Sequence, residues 1–249
     1  MNKSILLLLI IAISCTTMGQ KSYEKEWKEV EAAVRKGLPQ SALKIVDSVY
    51  LDAKSTDNAP QFLKAALYQI KLRSDYREDF MESSIRQIEE ELKTASAPVK
   101  QILHSIRAEL YWRYYQGNRY RFMERTGVSN PDLSDIKTWD LKTLVNTVTE
   151  SYLASVGQEY ATLKIKLDYI DPILETETGS KIYRPTLYDF LAHRALEYFA
   201  NEEPAVVRPA EGFLFDQEKY FSPAGEFSSL KITSPDENDL KWHALLIYQ

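Results

Sequence analysis

Cysteine is all but missing from these 249 residues. Cys15 is the only one, and it lies in the leader, so a chain cleaved after Gly19 holds no thiol. Disulfides, thiol nucleophiles and cysteine-ligated metals are then excluded, and the fold must rest on its core. Histidine is nearly as scarce. His104, His193 and His243 stand far apart, and none has the His-x-x-x-His spacing that sets two ligands on one helix face. The eight glycines form no Gly-x-Gly-x-x-Gly, Walker A or Gly-x-Ser-x-Gly pattern, which removes the usual phosphate cradles and the nucleophile elbow. Excess positive charge is also lacking. The net charge is −5, and loss of a leader whose one charged residue is Lys3 makes it more negative, so the chain has no global pull toward nucleic acid or anionic lipid.

What is present begins with "MNKSILLLLIIAISCTTMGQ": a lysine, an aliphatic run from Ile5 to Ile13, then small polar residues. This is the layout of a secretory signal, and it is shorter than the about 20 apolar residues that span a bilayer. Small residues at Thr17 and Gly19 predict cleavage between Gly19 and Gln20. The alternative is lipidation of Cys15 through the imperfect lipobox "AISC", in which Ala12 replaces the usual leucine. The expected location is the periplasm or cell surface of a Gram-negative bacterium, with membrane contact only if Cys15 is lipidated.

Over the whole sequence 44% of residues are hydrophobic, enough for a sizeable core, and beyond the leader they recur at helical spacing. Tyr23, Trp27, Val30 and Val34 form a first stripe, closed by Gly37 at a C-cap position. Pro39, Pro60 and Pro98 each open a further helix, and a fourth runs from about Glu78 to Lys93. Gly117 interrupts the fifth; "SNPDLSD" is a turn, and Trp139 to Val156 carries another helix. "LKIKLDYI" alternates like a short strand, while Pro172 and "ETETGSK" argue for loop. Thr186 and Asp189 cap a helix whose inner face is Leu187, Leu191, Ala195 and Tyr198.

The predicted fold is mainly α: antiparallel helical hairpins in a tetratricopeptide-like solenoid or irregular bundle, without that repeat's consensus residues. Its expected divisions are a signal peptide (1–19), a helical domain (20–201), an extended aromatic strap (202–233) and a C-terminal helix (234–249). Ser234 and Glu237 suggest a capping box for that last helix, whose stripe of Leu240, Ala244, Ile247 and Tyr248 stops with no C-cap. A helix cut in mid-stripe implies missing partners or a missing continuation, with Trp242 and Tyr248 as the candidate docking surface.

The run "YWRYYQGNRYRFMERT" poses the choice between nucleic-acid binding and packing. In an acidic, exported chain it reads as rings filling a core while Arg113, Arg119, Arg121 and Arg125 stack on them or pair with acids. Other chemistry-bearing groups are sparse. The acids at "EEEL" (Glu89 to Leu92) read as a solvated face, and His193 has Asp189 and Glu197 one turn away on either side. His104 reads as partly buried and His243 as a surface residue. Asp168 and Asp171 form a conceivable carboxylate pair, and with His193 they carry the weak enzymatic reading. No metal, cofactor or catalytic residue is expected.

Four stretches in this order, "YEKEWKEVEAAVRKGLPQSALKIVDSVY", "LHSIRAELYWRYYQGNRYRFMERT", "IKTWDLKTLV" and "RPTLYDFLAHRALEYF", together with the strap "FLFDQEKYFSPAGEF", resemble the N-terminal helical region of the large alpha-2-macroglobulin-like proteins exported by Bacteroidetes. The resemblance implies the leading, non-catalytic module of a protease trap, with downstream macroglobulin domains or another envelope protein as partner and proteases met only through the whole protein. The family's β-sandwich strands and Cys-Gln thioester are not in this sequence, so the chain reads as a fragment, a truncated product or a free-standing copy of that region. The alternative is an independent tetratricopeptide-like periplasmic adaptor that binds a peptide or glycan.

Overall fold

The computed structural model describes residues 21–124, 127, 131–157, 162–175, 179–201, 203, 212–236 and 239–249. The leader, with Cys15, Gly19 and Gln20, lies outside them, as do Arg125 and Glu237. The helices are α1 (Glu24–Arg35), α2 (Pro39–Ser55), α3 (Ala59–Ser74), α4 (Phe80–Thr94), α5 (Val99–Gly117), a short α6 (Arg119–Met123), α7 (Leu141–Val156), α8 (Leu187–Phe199), a one-turn α9 (Ala224–Phe227) and α10 (Leu240–Tyr248). Among the described residues there is no strand, only an isolated antiparallel bridge between Lys166 and Thr186.

Local chemistry sets the helix ends. Gly37 takes φ 68°, and its N–H and that of Leu38 return to the carbonyls of Val34 and Ala33 at 2.9 and 3.0 Å, which closes α1 and turns the chain into Pro39. At α8 the Thr186 hydroxyl accepts the Asp189 N–H while the Asp189 carboxylate accepts the Thr186 N–H, a complete capping box.

Short connections make neighbours in sequence neighbours in space. α1 packs on α2, α2 on α3, α3 on α4 and α4 on α5; α7 then lies broadly on α5, α8 on α7, and α10 on α8. α3 is covered nearly all round because the segment after α7 doubles back over it. There Leu167–Ile173 forms a 3-10 turn that presses buried Leu167 and Ile170 into the shared core. Of the strand-like "LKIKLDYI", Lys166 makes the isolated bridge to Thr186, while Leu167 to Ile170 enter the 3-10 turn, which runs on through Pro172.

Three expectations change. Val34 stands 41% exposed, so the α1 stripe narrows to Tyr23, Trp27 and Val30. The strap is not wholly extended: Glu218–Phe221 is a 3-10 turn and Ala224–Phe227 a helical turn. The last helix begins at Leu240, not near Ser234, because the Asp239 carboxylate caps the N–H groups of Lys241 and Trp242 at 2.9 and 3.1 Å.

Tyrosine stitches the layers. The hydroxyls of Tyr23, Tyr50, Tyr111 and Tyr152 donate to carboxylates on other elements, namely Asp52, Glu91, Glu89 and Glu109. Burial first, then the facing carboxylate, raises the pKa of Tyr50, Tyr111 and Tyr152, so the phenols remain donors. The "EEEL" stretch is accordingly not a solvated face. Glu91 is buried and also takes Lys54 Nζ at 2.7 Å, and Glu89 holds Tyr111 at 2.6 Å; Glu90 is the exposed member. A double-mutant cycle of Tyr111→Phe and Glu89→Gln, followed by urea unfolding, is expected to give a coupling of about 1–2 kcal/mol.

Candidate functional site

The run that first raised the question of nucleic acid lies at the end of α5 and in α6. Tyr111, Trp112, Tyr114, Tyr115 and Phe122 are buried, with Trp112 stacked on Tyr115 at 4.9 Å and Tyr111 on Trp139 at 5.2 Å. Its described arginines are committed within the chain. Arg113 pairs with Glu109 at 2.6 Å, Arg119 with Glu203, and Arg121 donates to the carbonyl of Lys137 at 3.1 Å. Only Tyr120, 82% exposed, offers a ring broadly to solvent.

One turn before those rings, α5, α7 and α8 meet at Glu109. Its carboxylate accepts Arg113 Nε at 2.6 Å and the Tyr152 hydroxyl at 3.2 Å, and Arg194 Nη2 lies 3.6 Å away. Burial pushes this carboxyl up, but Arg113 and Arg194 outweigh it and hold it below its ordinary value. Arg194 is itself placed by Ser105, which accepts its Nε at 2.9 Å. At the other end of the array Lys64 Nζ sits 4.4 Å from the ring centre of Trp27, and burial lowers its pKa.

The strap and α10 form a second, smaller core. Phe213, Tyr220, Ile232 and Leu245 are buried together, with Phe227, Leu230 and Trp242 against them. Asp239 clasps the unit: besides capping α10, its Oδ2 accepts the Phe213 N–H at 2.6 Å. At the far end of α10, the Gln249 amide donates to the carbonyls of Phe227 and Leu230. The opposite side of α10 sets Leu240, Ala244 and Ile247 on the main core. On the outer surface of the strap Phe215 stacks on Tyr220 at 5.3 Å and meets Phe221 edge-on at 4.9 Å. Leu214, Phe215 and Phe221 are 68%, 46% and 69% exposed.

The structure does not bring the sequence-predicted residues to one place. Trp242 is half-buried in the small core, its indole N–H toward the Ile232 carbonyl, whereas Tyr248 is exposed. Asp168 and Asp171 lie at the surface, both held at 2.5 Å by Lys181, which keeps Asp168 below the usual carboxylate range and so makes it a poor proton donor. His193 pairs not with a carboxylate but with the Asp189 carbonyl, at 2.7 Å from Nδ1. His243 is buried, not at the surface: α10 turns it onto Phe199, 5.4 Å between ring centres. His104 is half-buried as expected, with no hydrogen-bond partner at Nδ1. Among the described residues no group of three or more His, Cys, Asp or Glu could hold a metal ion, and no helix is long and apolar enough to cross a membrane.

No protein-family model, curated protein or solved structure matches this chain. Function must be read from the surfaces just described. Sequence reasoning missed the Glu109 and Arg194 meeting, which joins residues far apart in the chain, and the Asp239 clasp. The clasp had a signal, an acid immediately before the α10 stripe, but the Ser-Pro pair upstream drew attention from it.

Two outcomes follow from this geometry. Burial, then the nearby Arg107 and Lys100 charges, pulls His104 down to about 4 from 6.5. Below pH 6.5 the unfolded chain binds a proton that the folded one refuses, so this contribution is complete above that pH and is lost as pH falls toward about 4. Chemical unfolding at stepped pH is expected to show a loss on the order of 1–2 kcal/mol across that window, absent in His104→Leu. Asp239→Ala removes a cap and strands the Phe213 N–H, with an expected cost of about 2–3 kcal/mol. Hydrogen exchange should then rise in residues 212–236 and 239–249 and stay unchanged in α1 to α4.

Proposed function

We propose that this chain is a non-catalytic helical interaction domain of the bacterial envelope, the leading module of a macroglobulin-type protease trap. The observation that carries this reading is the aromatic display on the strap: Leu214, Phe215 and Phe221 face solvent, with Phe215 against Phe221 and Tyr220, on a strap clasped to α10 by Asp239. Exposed apolar patches of this kind mark contact surfaces. A contact surface anchored by Tyr220 and Trp242 costs little ordering entropy on docking, since its rings are already in place.

Three further features support the reading. The sequence segments that carry the family resemblance fall on α1, α2, α5, the start of α7 and α8, the body that presents the strap. The leader has the layout of an export signal, which supports a location in the periplasm or at the cell surface. Glu91 and Glu89 join helices to one another through Tyr50, Lys54 and Tyr111. Docking involves Phe215, Phe221 and Tyr248; Trp242 serves as an inward anchor.

The reading frame beyond the Gln249 codon is expected to enter β-rich domains and a Cys-Gln thioester. The double variant Phe221→Ser, Tyr248→Ser, with an unchanged circular dichroism spectrum, is expected to bind the adjoining macroglobulin domain at least ~10-fold more weakly by calorimetry. Equal affinity would remove the strap from the docking surface. A frame that closes with no macroglobulin domain encoded beside it would remove the trap itself.

A further inference from the structure

Where α5, α7 and α8 meet, a cavity of about 230 Å³ opens to solvent beside Glu109. Beneath it lie almost wholly buried rings, Trp112 edge-on to Tyr198 at 5.3 Å and Tyr198 stacked on Tyr152 at 5.2 Å. Its rim is polar and comes from two helical ladders. Glu109 and Gln116 rise from α5 on either side of Trp112, while Arg194 and Glu197 rise from α8, followed by Asn201 just past its end. Residues three, four and seven apart share one helix face, so each helix presents its polar members to the same opening.

Size, charge and hydrogen-bond chemistry select the occupant. Pockets for drug-sized ligands run from about 300 to 1,000 Å³, so this one holds a single ring and not a stretch of peptide. A free anion would face the Glu109 and Glu197 carboxylates. A free cation would meet Arg194, whose guanidinium already neutralises Glu109 from 3.6 Å. A neutral ligand with several hydroxyls meets no such opposition: each hydroxyl donates to a carboxylate or amide oxygen and accepts from the guanidinium or an amide N–H. Glu197 and Gln116 are exposed, and Arg194 and Asn201 complete the polar lining.

We infer that this cavity is a binding site for one neutral sugar ring, a second recognition surface distinct from the aromatic strap. It does not rest on the protease-trap reading, and failure of strap docking leaves it standing. The site is shallow, so recognition of a single ring is weak, in the millimolar range that corresponds to about −4 kcal/mol.

The test is a titration of the isotopically labelled full chain, watched by amide and side-chain nitrogen NMR. The probes are the methyl pyranosides of glucose, mannose and galactose together with N-acetylglucosamine; acetate, methylammonium and glycine stand for an anion, a cation and a zwitterion. At least one sugar is expected to shift Gln116, Glu197 and Asn201 at millimolar concentration, and Glu197→Ala with Asn201→Ala to weaken it ~10-fold at unchanged melting temperature. If that pair of changes disturbs folding, Gln116→Ala at an exposed position makes the same comparison. The inference is overturned if no sugar shifts these residues, if a charged probe shifts them more strongly than every sugar, or if the variants bind sugar as the parent does.

Discussion

The phenol-to-carboxylate bond between layers is the interaction on which the array depends. A helix whose apolar stripe is only partly filled by aliphatic residues must bury large rings, and a buried tyrosine must find an acceptor for its hydroxyl. In this chain the acceptor is repeatedly an acid from another element. Tyr50 reaches from α2 to Glu91 on α4, Tyr111 from α5 to Glu89 on the same helix, and Tyr152 from α7 to Glu109 on α5. Such bonds add directional preference to apolar packing that is otherwise tolerant of sliding, so each helix has one register against the next.

The same interactions govern the two surfaces of interest. Glu109 is at once the acceptor for Tyr152, the partner of Arg113 and the neighbour of Arg194, so the wall of the α5, α7 and α8 cavity is set by a stitch that also binds helices. On the strap, Tyr220 is the ring that turns inward while Phe215 and Phe221 lie outward around it.

Much of the helical layout was legible because it depends on local chemistry. Pro39 and Pro60 stand in first turns, Gly37 lies where only a left-handed residue closes the helix, and Thr186 and Asp189 form the box that their spacing announces. What was not legible depends on contacts distant in sequence. Nothing near Glu91 says that Tyr50 and Lys54 cover it, so an acidic run on a helix read as solvated. His243 looked like a surface residue because its partner Phe199 belongs to another helix. The aromatic richness of the strap was plain, but its division into inward anchors and outward rings follows from the fold of α10 upon it. The candidate site was the least legible part, since Glu109 and Arg194 are joined only when α8 returns to α5.

The clasp at Asp239 has a consequence for how the molecule comes apart. One carboxylate secures both the start of the strap and the first turn of α10, and the core they share is built from only a few buried side chains. Such a unit opens at a lower free energy than the body and opens as a whole, because losing either hold loosens the other. Each excursion uncovers Phe199 and His243 together. Cleavage by an added protease is then expected to follow the population of this partly open form and not that of the unfolded chain.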